Sequence, residues 1–184
     1  MNKFLYCLVI TSLIGCSSNS SNKHDDTSTN KAYFHFDEIK YVRILISDKD
    51  INELYTKENK SANEQVLFNI LAEPLNKDLS ENAIVKDLEG ISKIECSINK
   101  KYFEQLNTTI FVEKQCDDFA PLVCDPFYRD ILLFKKNGAL TGVAKFSFNG
   151  HICDFAGTSA NYECFGALGE FDKLRRILKE NNTH

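Results

Sequence analysis

Residues 130–155 read DILLFKKNGALTGVAKFSFNGHICDF, and this stretch decides the fold. Two Asn-Gly pairs, Asn137-Gly138 and Asn149-Gly150, stand a strand-length apart. Asn-Gly suits a two-residue type I′ turn because both central residues take positive φ, and the twist of that turn matches the strands it joins. The spacing therefore predicts strands over 130–136 and 139–148 and a third opening at 151–155, an antiparallel meander. Just beyond it, residues 170–179 place Phe171, Leu174, Ile177 and Leu178 on one helical face. Such a helix can cover one side of the sheet.

Upstream, residues 39–46 are rich in β-branched and aromatic side chains and read as a strand. Ser47 followed by Asp50 opens a short helix to about Tyr55. Ser61 and Glu64 form a clearer capping box for a helix carrying Val66, Leu67, Ile70 and Leu71 until Pro74 stops it. A short strand is predicted over 91–98, a turn or two of helix over 101–106, and a further strand over 108–114. Together these segments predict an α+β fold: an antiparallel β-meander with helices packed on one face and the C-terminal helix closing the domain.

The N-terminus carries an address. Lys3 precedes an apolar run over 4–14, then Gly15 and Cys16, the order of charged, apolar and small segments that export requires. The run is too short to span roughly 30 Å of hydrocarbon, which takes about 20 apolar residues. Leu13-Ile14-Gly15-Cys16 resembles the lipobox of bacterial lipoproteins. The resemblance implies cleavage before Cys16, lipidation of its thiol with palmitate-type acyl chains, and, through Ser17, an outer-membrane home where the host has one. Residues 17–31 hold only polar and charged side chains, with no apolar one, and read as a flexible tether. The expected organisation is a signal peptide over 1–15, lipidated Cys16 and tether over 16–31, and a single globular domain over 32–184. The protein is expected at the cell membrane or outer membrane, facing periplasm or cell exterior.

The C-terminal third also resembles a pattern of small exported proteins and lipoproteins of Bacteroidetes-type bacteria. There a Cys-containing segment (Cys124-Asp125-Pro126) precedes a strand (130–134), a turn, a second strand (142–148) and a closing helix from Gly169-Glu170-Phe171. That pattern ends its second strand in two close cysteines, whereas this chain has Phe146-Ser147-Phe148 and Cys153 further on. The resemblance implies architecture and export.

The chain has 22 basic and 26 acidic residues. Loss of Lys3 with the signal leaves 21 against 26, a net of −5. An interspersed acidic balance lacks the basic footprint that nucleic acid demands, so that class is set aside. Once Cys7 has left with the signal and Cys16 is acylated, Cys96, Cys116, Cys124, Cys153 and Cys164 remain. In an oxidising compartment pairing is the default. Five thiols allow at most two internal bridges; we favour Cys116 with Cys124 and leave Cys96 unpaired, with Cys153 and Cys164 as further candidates. In a host that makes few disulfides all five would serve as small buried hydrophobes.

Few residues combine into recognisable chemistry. His151 and Cys153, two apart on an expected strand, would share a face and offer a Cys/His pair, but a disulfide role suits Cys153 better. With Cys164 they make at most half a zinc site, and no C-x₂₋₄-C pair completes it. Asp117, Asp118, Asp125 and Asp130 gather acids without the calcium-loop spacing and read as a solvated acidic loop. Phosphate-binding glycine loops and a G-x-S-x-G elbow are missing; Gly157-Thr158-Ser159 reads as a loop. Most of the 14 phenylalanines, including the pairs Phe34/Phe36 and Phe146/Phe148, read as core. No cofactor or metal is called for. The expected function is a non-enzymatic binding or interaction module, held at the envelope through Cys16 and meeting an envelope protein partner. Alternatives are a thiol-dependent envelope enzyme or redox protein, and an inhibitor or immunity-type lipoprotein.

Overall fold

The computed structural model describes residues 31–81, 83–116 and 127–181. The signal peptide, Cys16 and most of the tether, together with Asp117, Asp118, Cys124 and Asp125, lie outside them.

Strand β1 (Glu38–Ile44) leads into helix α1 (Asp48–Thr56), whose N-cap Ser47 accepts a hydrogen bond from the Asp50 N–H. Helix α2 (Ala62–Ala72) starts in the expected capping box: Ser61 Oγ accepts from the Glu64 N–H and the Glu64 carboxylate accepts from the Ser61 N–H. Two orphan donors of the first turn are thereby satisfied. The bonds from Lys57 and Ser61 hold Glu64 down at about 2. A short helix α3 (Ile84–Asp87) and strand β2 (Lys93–Ser97) follow. A helical run then passes from a 3₁₀ turn (Lys100–Tyr102) through α4 (Phe103–Gln105) into a π turn (Leu106–Ile110). Strands β3 (Asp130–Lys136), β4 (Ala139–Ser147) and β5 (Ile152–Ala156) and helix α5 (Glu170–Glu180) complete the domain.

The five strands form one antiparallel sheet in the order β2-β1-β3-β4-β5, so the fold is α+β, with the meander making its right-hand three strands and α5 closing the domain. The helices divide between the faces instead of sharing one. Side chains alternate across a strand, and successive β3 residues join different cores. Leu132 and Phe134, with Tyr41, Phe146 and Phe155, pack under α5 and the π turn. Ile131 and Leu133, with Val42 and Val143, pack under α1, α2 and α3. Both faces of β3 are apolar, which is why it runs Ile-Leu-Leu-Phe without alternation.

Two expectations are corrected. The strand expected over 108–114 is instead the π turn: Phe111 N–H bonds the Leu106 carbonyl at 2.7 Å, and only Val112 pairs, in a single bridge to Ala32. Helical winding puts Leu106, Ile110 and Phe111 into the aromatic core, each no more than 1% exposed, and that burial outweighs the strand preference of Thr108, Thr109 and Ile110. The Asn137-Gly138 turn has positive φ at both residues, as expected. At Asn149-Gly150 positive φ falls on His151 alone, and the connection is a four-residue loop between the paired Ser147 and Ile152. Phe148 leaves the ladder because its ring stacks on Phe146 and its carbonyl accepts from Arg175.

The register between β3 and β4 slips at Phe134/Lys135, leaving Thr141 as an extra residue whose hydroxyl bonds the His35 carbonyl at 2.8 Å. Gly142 then lies flat under Phe34; a Cβ there would stand 2.2 Å from the ring.

Candidate functional site

Two charged groups on the sheet are candidates, and their surroundings separate them. The first lies at one end of the sheet. Arg43 at the end of β1 and Asp130 at the start of β3 are direct cross-strand partners, with Arg43 Nη1 3.8 Å from the Asp130 carboxylate. The Tyr41 hydroxyl, itself fully buried, donates to the same carboxylate. Burial, and then the Asp130 charge, push the Tyr41 phenol well above its ordinary range, so it stays a donor. Arg43 and Asp130, backed by the buried Tyr41, line a cleft of about 560 Å³, a size that fits small-molecule sites.

Three elements raise the walls. Asp48, Ile51 and Asn52 come from α1, and Phe127 and Arg129 from the segment entering β3. The β4–β5 loop supplies Phe148 and Asn149, and the last turns of α5 supply Arg175, Leu178 and Lys179. Arg129 is held by Asp48 and the Ile46 carbonyl. Arg175 lies over the Phe148 ring at 5.3 Å while bonding the Phe148 carbonyl. The lining therefore carries four cations against two carboxylates, in a chain whose net charge is −4. A hollow of equal volume beside β2 and α4 holds Asp37 and Glu38 against Lys100 and lacks this surplus.

The second group lies on the opposite face. Lys145 and Asp154 are cross-strand partners of β4 and β5, both buried. Lys145 donates to the Glu73 carbonyl, the C-cap of α2, at 2.6 Å, and sits 4.6 Å from the Tyr128 ring. Asp154 accepts from the Leu75 N–H and from Lys77, which also donates to Tyr162 at 2.9 Å. Burial holds the Lys145 ammonium down at about 8, against the raising influence of Asp154 and Glu73. This cluster is closed and satisfied, and it fastens the loop after α2 to the sheet.

The residues singled out in the sequence scatter. Cys116 is bonded to Cys164, 48 residues on, in place of the expected Cys116–Cys124 bridge. The chain must fold back on itself to close that bridge, a proximity that spacing alone does not reveal. Cys96 and Cys153 are thiols. Burial, and then Asp154, push the Cys153 thiol well up; burial, and then Glu95, raise that of Cys96. Neither is poised as a thiolate. His151 stands in the loop with its ring against Phe171, off the strand that carries Cys153, so the expected same-face pair is not formed. Asp130 is the one acid of the 117–130 group within the described residues, and it belongs to the cleft floor. Among the described residues no cluster of His, Cys, Asp and Glu could hold a metal ion.

Arg43, Tyr41, Arg129, Arg175 and Lys179 were missed by sequence reasoning. Only Arg43, a charge between Val42 and Ile44, carried a signal. No protein-family model, curated protein or solved structure matches this chain.

Proposed function

We propose that this protein is a lipid-anchored lipoprotein of the cell envelope whose folded domain is a non-enzymatic binding module, and that it engages an envelope component through the sheet-end cleft. The observation that carries the binding half is the cleft itself: a surplus of guanidinium and ammonium groups at the mouth of a domain that is acidic overall. Arginine forks match carboxylate and phosphate oxygens in pairs. The anchoring half rests on the Leu13-Ile14-Gly15-Cys16 motif and the tether that follows it. The Cys116–Cys164 bridge supports an oxidising compartment. Among the described residues no helix is long and apolar enough to cross a membrane. More than one acyl chain makes a lipid anchor stable, at about 0.8 kcal/mol per buried CH₂.

The raised thiols argue against the thiol-dependent alternative, and no observation favours an inhibitor role. The test uses intact cells. Labelled palmitate should enter the protein and be absent from Cys16→Ala. A photo-crosslinking residue at Asn149 should give a discrete adduct that the same residue at Glu58, away from the cleft, does not. Palmitate in Cys16→Ala would overturn the anchor; equal labelling from both positions would overturn the cleft.

A further inference from the structure

From the lining of the cleft, and resting on the reading that this is where the domain binds, we infer that its ligand is a small organic oxyanion: a carboxylate or phosphate joined to an apolar body. Three observations converge. Arg43 is 37% exposed in its side chain and reaches Asp130 only at 3.8 Å. The Asp130 carboxylate already accepts from Tyr41, so the Arg43 fork is oriented by the buried Tyr41–Asp130 pair while its side chain lines the cleft. Lys179 stands on the rim at the end of α5, and its ammonium has no hydrogen-bond partner among the described residues. Two positive groups on the same hollow thus have spare donors.

The rest of the wall sets the second half of the chemistry. Phe127 and Phe148, half-buried, supply apolar surface, and the buried Ile51 and Leu178 back it. Phe127 is backed by Tyr55 at 5.8 Å and Tyr55 by Phe68 at 6.0 Å, so that wall is the edge of an aromatic stack. Arg175 is committed to the Phe148 ring and carbonyl and to Asp172, and Arg129 to Asp48; they shape the cleft and add field, and Arg43 with Lys179 grips the oxyanion. A bare inorganic ion would leave the apolar wall wet, whereas an oxyanion carrying a ring or short chain covers it. Tyr41 and Asp130 are positioning residues: they touch Arg43, and through it the ligand.

The experiment is a calorimetric titration of the full chain in detergent micelles at fixed ionic strength with phenyl phosphate, benzoate and inorganic phosphate. Phenyl phosphate should bind saturably and more tightly than inorganic phosphate. Arg43→Gln should lose about tenfold or more in affinity, the expected loss for a hydrogen bond to a charged group. Lys179→Gln, a surface change that cannot unfold the domain, should lose a few-fold, and Arg176→Gln, off the cleft, nothing. Raising the salt should weaken binding in parallel. Competition by phosphatidylglycerol vesicles would assign the oxyanion to a lipid headgroup, and indifference to them would assign it to a soluble compound. Saturation by none of the three probes, equal affinity for phenyl and inorganic phosphate, or equal loss in Arg43→Gln and Arg176→Gln would overturn the inference. A discrete adduct from Asn149 in cells alongside any of those results would retire the ligand class and leave the binding reading standing.

Discussion

Lys145 with Asp154 and Arg43 with Asp130 are both cation–carboxylate pairs across neighbouring strands of one sheet. Their surroundings make them opposites. Lys145 is 1% exposed, and its ammonium is spent on the α2 C-cap carbonyl and the Tyr128 ring; its carboxylate partner is spent on Leu75 and Lys77. Arg43 opens onto solvent and shares a carboxylate that Tyr41 already occupies. A buried charge that is fully partnered fixes a loop, and one that is half-partnered at the mouth of a cleft is free to meet something else. A perturbed titration alone does not mark a site: burial lowers the Lys145 ammonium inside a closed, fully partnered cluster.

The comparison can be broken from the closed side first. The Cys116–Cys164 bridge ties in the loop that carries Tyr162, two residues away, so reduction should loosen that side. With the cysteines 48 positions apart, chain entropy predicts a loss of about 4 kcal/mol, read as a lower urea midpoint. Phenyl phosphate affinity extrapolated to no urea should hold. An unchanged midpoint would show that the bridge does not brace the domain.

Next in size is a pH effect. With Lys145 at about 8 in the folded chain and about 10.4 unfolded, the unfolded state binds the extra proton between those values. Stability contributed by this group therefore rises with pH across that window. Buried tyrosines and thiols work the other way at high pH, because their folded values are raised, so the clean quantity is a difference. The stability of the wild type minus that of Lys145→Met should grow by about 2.5 kcal/mol between pH 8 and 10.4, at 1.36 kcal/mol per unit. A flat difference would mean that Lys145 is not held down by burial.

A smaller effect is expected at the open cluster. Tyr41→Phe leaves the Asp130 carboxylate one donor short and should cost about 1–3 kcal/mol. It should also weaken phenyl phosphate binding less than Arg43→Gln does. Equal losses of affinity would place the phenol in direct contact with ligand instead of behind Arg43. Smallest in energy is the thiol test: Cys96 and Cys153 should both alkylate slowly at neutral pH, about tenfold or more below a free thiol. One fast cysteine would restore a thiol-based activity to consideration.

The sheet was legible because its signals are local. Asn137-Gly138, the Ser61/Glu64 box and the face of Phe171, Leu174, Ile177 and Leu178 each report on a few neighbouring residues, and each reappears in the fold. Sequence reasoning failed where tertiary packing decides. The π turn at Leu106–Ile110 exists because the aromatic core takes its side chains. Phe148 departs from its strand because Phe146 and Arg175 hold it. The cleft failed for the same reason on a larger scale: Arg43, Asp130, Phe148 and Lys179 are spread over 137 positions and meet only when four elements end at one edge. A motif search rewards His151 near Cys153, which the fold separates, and passes over single arginines, which it gathers.

The most direct test of the central claim, that the domain binds through the open cluster, is an amide NMR titration of the ¹⁵N-labelled chain in micelles with phenyl phosphate. The account predicts that shifts concentrate at Arg43, Arg129, Asn149, Gly150 and Lys179 and leave Leu75, Lys77 and Asp154 still. Shifts centred on Lys77, Asp154 and Tyr162, or spread evenly with no saturation, would contradict it.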